Sequence, residues 1–124
     1  MNRRLFFSSL ALSFIPAHAA EQVIKPKGDP NDPGPKPVKN KEGTYDAMLE
    51  SMKRDQVTEP QLSRRFIHWG EPVKELFQGF IYWSIDLKYE LSTVFGKPET
   101  HTHALIRDGT VHIWMYRGSG EIVP

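Results

Sequence analysis

Three histidines, a tryptophan and a tyrosine crowd around one Asp-Gly step between His101 and Tyr116. Imidazoles at that density can ligate a metal or exchange protons near neutral pH, so their relative placement decides what they can do. Asp108-Gly109 suits the two-residue type I′ loop of a hairpin, which predicts antiparallel strands on either side of it. Arg107 then faces Thr110, Ile106 faces Val111, and unbroken alternation separates two sets of side chains. Thr102, Ala104, Ile106, Val111, Ile113 and Met115 form an apolar face, while His101, His103, Leu105, His112, Trp114 and Tyr116 share the other. Diagonal cross-strand neighbours lie about 7–8 Å apart at the backbone, so His103 and His112, with Glu90, form a candidate site for zinc or a similar divalent metal. The second candidate is a binding surface made of Lys88, His101, His103, Trp114 and Tyr116, an aromatic and polar patch of the type that contacts a protein or a small ligand.

No legible catalytic apparatus accompanies these residues. Gly118-Ser119-Gly120 lacks the first glycine of a nucleophile elbow, where Arg117 stands, and no serine has a histidine and a carboxylate in supporting order. There is no cysteine and no glycine-rich phosphate loop. These features favour a non-enzymatic role.

The elements that must position the surface follow from periodicity. Ile81, Trp83, Ile85, Leu87, Tyr89 and Leu91 alternate with polar neighbours and predict a long strand, running from Phe80 to about Phe95. Gly96 to Glu99 is the expected turn into the next strand. Tyr45, Met48, Leu49 and Met52 have the spacing of a short amphipathic helix ending near Arg54. A second helix is expected from Thr58: the Thr58-Glu59-Pro60-Gln61 run has capping-box spacing, and Leu62, Phe66 and Trp69 continue a stripe that Gly70 and Pro72 end. The expected fold is α+β, two short N-terminal helices packed on one face of a three-stranded antiparallel β-meander.

Ahead of this domain, residues 1–19 have the layout of a cleaved export signal: Arg3-Arg4, an uncharged run from Leu5 to Ile15, and Ala17-His18-Ala19 before the cut. Arg3-Arg4-Leu5-Phe6-Phe7 also resembles a twin-arginine signal. Residues 20–43 are rich in Pro, Lys and Gly and predict a disordered, partly polyproline-II tether, read first as a post-signal leader with no partner and otherwise as a spacer or a ligand for a proline-recognising groove. Residues 44–124 form the single small domain. Losing Arg3 and Arg4 takes the 16 basic residues to 14 against 15 acidic ones, a formal charge of −1 that offers no attraction to nucleic acid. The run at the N-terminus is too short for a membrane span, and no cysteine is present to carry a lipid anchor. The expected location is the periplasm or the secreted fraction.

The stretch from Thr58 to Phe66, Gly70-Glu71-Pro72, the strand from Ile81 to Leu91 and the run from Ile106 to Tyr116 together resemble the small periplasmic domains of the BamE/SmpA outer-membrane assembly family and related β-lactamase-inhibitor-like modules. The resemblance implies a non-enzymatic protein whose sheet face or edge binds another envelope protein. It transfers no individual functional residue.

Overall fold

The computed structural model describes residues 26–124; the expected signal peptide and the first residues of the tether lie outside them. Among these residues one α-helix, α1 (Asp46–Lys53), is followed by a 3-10 turn (Glu59–Leu62) and five strands: β1 (Arg65–Trp69), β2 (Val73–Phe77), β3 (Phe80–Glu90), β4 (Glu99–Arg107) and β5 (Thr110–Tyr116). All pairings are antiparallel. β3, β4 and β5 are successive neighbours, and β1 and β2 share the other edge of β3 end to end. The expectation of two helices on a three-stranded meander is therefore overturned: the described residues are mostly β, with one helix over a five-stranded sheet. No described helix is long and apolar enough to cross a membrane.

The second helix fails for identifiable reasons. A capping box would satisfy the Thr58 and Gln61 amides through each other's side chains; instead the Thr58 amide donates to the Pro124 carbonyl at 3.0 Å, joined there by the Glu59 amide at 2.9 Å, the Gln61 amide donates to the Thr58 carbonyl, and the Gln61 side chain donates to the Val57 carbonyl. Phe66 and Trp69 do share a face, but a bulge at Ile67 in β1 makes residues three apart coplanar in a strand. Their rings lie 5.2 Å apart. Gly70 is no left-handed cap. Its amide donates to the Asp86 carbonyl at 2.8 Å, and a β-carbon there would meet the Asp86 Cβ at 3.1 Å.

Two hairpins share one turn chemistry. Gln78-Gly79 and Asp108-Gly109 both have positive φ at both residues, 50° and 84° in the first and 52° and 77° in the second, the type I′ geometry that matches strand twist. Beyond Glu90 the chain leaves the sheet and reverses at Val94-Phe95, where Thr93 and Gly96 pair.

The main core lies between α1 and the sheet face carrying Ile85, Leu87, Tyr89, Ala104, Ile106, Val111 and Trp114, with Tyr45, Met48, Met52 and Val57 packed onto it. A smaller cluster on the opposite face joins Tyr82, Leu105, Ile113 and Met115 to Phe77, Phe80 and Ile122. The tail returns beside β5, where Val123 donates to the Trp114 carbonyl at 3.0 Å and buries its side chain in the main core.

Candidate functional site

The register decides which chemical groups meet. Between β3 and β4 the pairs Leu87–Thr102, Lys88–His101 and Asp86–His103 put Lys88, Asp86 and both histidines on the second face. Between β4 and β5 the ladder starts as Arg107–Thr110 and Ile106–Val111, then shifts by one, so that Leu105 faces Ile113, Ala104 faces Trp114 and Thr102 faces Tyr116. His112 is the extra residue of this bulge. Beyond it every β5 side chain changes face relative to an unbroken ladder. Trp114 and Tyr116 consequently lie in the covered layer, and Ile113 and Met115 with His103 on the second face.

The structure thus divides the five candidate binding residues. Lys88, His101 and His103 stay together. Trp114 is buried, donating from Nε1 to the Ser51 hydroxyl of α1 at 2.8 Å. Tyr116 donates to the Glu59 carboxylate at 2.8 Å, and Tyr89 donates to the same carboxylate at 2.6 Å. Burial first, and then the adjacent Glu59 carboxylate, push the Tyr116 phenol up to about 12 and the Tyr89 phenol higher still.

The candidate metal residues are also separated. Glu90 sits four residues along β3 from Asp86, the partner of His103, a span of about 13 Å at strand rise. Its carboxylate is engaged by Arg64 at 2.5 Å and Arg65 at 3.4 Å. His112 packs against Tyr82, ring centroids 5.7 Å apart, with the Leu105–Ile113 pair between it and His103. Among the described residues no three His, Asp or Glu side chains converge as metal ligands.

What assembles on the second face is a network centred on Arg117, just beyond β5. Its Nε donates to Asp86 Oδ1 at 2.8 Å, Nη2 to the Ser84 hydroxyl at 3.0 Å, and Nη1 to Glu75 Oε1 at 3.3 Å. His101 Nε2 lies 3.4 Å from Asp86 Oδ2, and His103 Nε2 lies 3.5 Å from Glu75 Oε2. Burial pushes the Asp86 carboxyl upward, but the Arg117 guanidinium outweighs it and holds the group below the usual carboxylate range. The His103 side chain is 4% exposed, and neither ring nitrogen has a hydrogen-bond partner. Desolvation, seconded by Arg117, depresses its pKa below the ordinary histidine value, so the ring is neutral at physiological pH.

Sequence reasoning missed Glu75, Ser84, Asp86 and Arg117 as members of this site. Ser84 and Asp86 lie in the polar phase of the β3 alternation, a signal that was present. Glu75 was invisible because β2 was not expected as a strand. Comparison of the chain with protein-family models, with curated proteins and with solved structures finds no match.

Proposed function

We propose that this chain is an exported, non-enzymatic binding module that recognises an envelope protein through the second sheet face, with His101, Lys88 and the Arg117 network as the contact residues and His103 buried beneath them. The observation that carries this reading is the Arg117 network: His101, Asp86 and Arg117 present charged and polar groups that are 35–43% exposed on one face, over a His103 sealed from solvent with Nε2 3.5 Å from Glu75. Arg117 and Asp86 are already paired, which presents a partner with a fixed hydrogen-bonding pattern in place of a mobile charge. Ser84, the hydroxyl of the network, is bonded to Arg117 and to no histidine, an arrangement that suits recognition better than nucleophilic attack.

Affinity capture from a periplasmic extract tests the proposal. Wild-type protein is expected to retain a partner that His103→Ala and Arg117→Ala both lose, with circular dichroism unchanged. Retention of the same partner by both variants would mean that the wrong face has been chosen.

A further inference from the structure

The connection between β3 and β4 ends in two apolar side chains that the fold does not use: Val94 is 94% exposed and Phe95 is 96% exposed. The backbone that displays them is nevertheless tied. The Thr93 amide donates to the Gly96 carbonyl at 2.8 Å and the Gly96 amide to the Thr93 carbonyl at 3.2 Å. The Phe95 amide donates to the Thr93 hydroxyl at 3.1 Å, and that hydroxyl donates to the Gly96 carbonyl at 3.1 Å. Lower on the stem, the Leu91 amide donates to the Pro98 carbonyl at 3.1 Å. Val94 and Phe95 are thus held out in water at the end of a closed turn, where they contribute nothing to the core.

The flanks of this turn are basic. Lys97 is exposed within it. The Arg64 amide donates to the Glu90 carbonyl at 2.7 Å, which brings Arg64 and Arg65 to the same end of the sheet, and with them Leu62, 76% exposed two residues earlier. Both arginine side chains are about half exposed, while the Glu90 carboxylate that they share is nearly covered. Glu99, exposed at the foot of the turn, offsets part of this charge.

We propose that the Val94-Phe95 turn is a shallow membrane anchor, inserting its two apolar side chains into the interfacial layer of an anionic bilayer while Lys97, Arg64 and Arg65 meet the lipid headgroups.

Size decides the occupant. A protein interface of ordinary size takes about 800 Å² from each partner, whereas a Phe side chain buries about 150–250 Å² and a Val less. A bilayer requires no matching contour, and a few apolar side chains backed by cations suit its layering of acyl chains under charged headgroups. Val94 lies four residues past Glu90, the last β3 residue paired with β4, so at strand rise the turn projects on the order of 10 Å. Interfacial elements enter the headgroup boundary by about 5–10 Å. The Thr93, Phe95 and Gly96 amides are already bonded within the turn, so losing water there leaves them satisfied. An anchor at this end of the sheet also leaves the second face clear for a protein partner.

The test mixes the full chain, wild type or Val94→Ser/Phe95→Ser, with vesicles of phosphatidylcholine and phosphatidylglycerol in equal parts or of phosphatidylcholine alone, and measures bound protein by flotation. Both replaced side chains face solvent, so the urea midpoint is expected to stay the same. Wild type is expected to bind the anionic vesicles, and the double variant about tenfold or more weakly, because a Phe and a Val no longer leave water. Lys97→Gln is expected to weaken binding to the anionic vesicles about fivefold. Phe95→Trp adds an indole at the tip, whose emission should shift to the blue on these vesicles and be quenched by brominated lipid. Equal binding by wild type and the double variant, no binding at millimolar lipid, or an added indole that brominated lipid fails to quench overturns the proposal. Equal binding of wild type to both kinds of vesicle overturns the assignment to anionic lipid. Loss of a captured protein by the double variant, with no vesicle binding by wild type, places the turn in a protein pocket and overturns the bilayer as its occupant.

Discussion

The two faces of the sheet solve the same problem differently. On the covered face, polar groups among the aromatics are matched: Trp114 with Ser51, Tyr89 and Tyr116 with Glu59, Tyr45 with the Gly70 carbonyl, Trp83 with the Gly34 carbonyl. On the second face a small apolar cluster borders an ion network and a buried imidazole whose Nε2 lies 3.5 Å from the Glu75 carboxylate. One surface is closed within the chain, and the other leaves the charged groups of Arg117 and Asp86 about a third exposed.

Adjacent residues of β5 break this comparison most directly. Trp114→Ala removes a buried indole from the main core and orphans the Ser51 hydroxyl, with an expected loss of about 3–5 kcal/mol in urea unfolding. Met115→Ala, one residue on and on the other face, is expected to cost nearer the lower end, about 2 kcal/mol. Equal losses would show that the second face is as tightly packed as the first. Next in size is Tyr89→Phe, which deletes a buried hydroxyl bonded to a carboxylate and should cost about 1.5–3 kcal/mol by the same measurement.

The faces should also fail at opposite ends of the pH scale. The raised phenols of Tyr89 and Tyr116 contribute stability that is fully present below the unfolded value of 10.0; the Tyr116 share is lost as pH rises through about 12, and the Tyr89 share at higher pH still. The depressed imidazoles of His103 and His112 contribute stability present above 6.5 and lost as pH falls below it. Tyr116→Phe should therefore flatten the alkaline limb of a Tm profile, and His103→Gln the acid limb. An acid limb unchanged by His103→Gln would mean that this ring is not buried neutral.

Much of the covered face was legible in the sequence: alternation put Leu87 and Tyr89 on it, and the Asp108-Gly109 loop fixed how Ile106 meets Val111. The pairing of Leu87 with Thr102 was not legible, because a turn at Gly96 to Glu99 sets Thr93 opposite Thr102, whereas the strand ends at Glu90 and the next begins at Glu99. The candidate site was only half legible. Lys88, His101 and His103 precede the bulge at His112 and lie on the face where alternation puts them, though the pairing of Lys88 with His101 was not foreseen; Trp114 and Tyr116 follow it and changed sides. A bulge carries no compositional mark in this strand, where the residues on either side of His112 alternate without a Gly or Pro. The false helix had a related origin: a bulged strand and a helix both bring residues three apart onto one side, so Phe66 and Trp69 satisfied either template.

The smallest effects sharpen the comparison where it concerns binding. Arg117→Ala is expected to change stability by no more than about 1 kcal/mol, since the side chain is about a third exposed and its ion pairs are screened, yet to abolish partner retention. Added zinc is expected to leave the melting temperature unmoved, given that Glu90 is held by Arg64 and stands far from His103. A rise with zinc that His103→Ala removes would replace the protein partner with a metal.

The supernumerary residue at His112 is the one place where β5 can shorten without disturbing its layers. Deleting it would close the ladder with Leu105 still facing Ile113 and Ala104 still facing Trp114, so the indole keeps its bond to Ser51 and the phenol stays under the covered face. A deletion scan should therefore find His112 the most forgiving position of the strand, whereas loss of Met115, beyond the bulge, would turn Tyr116 away from Glu59.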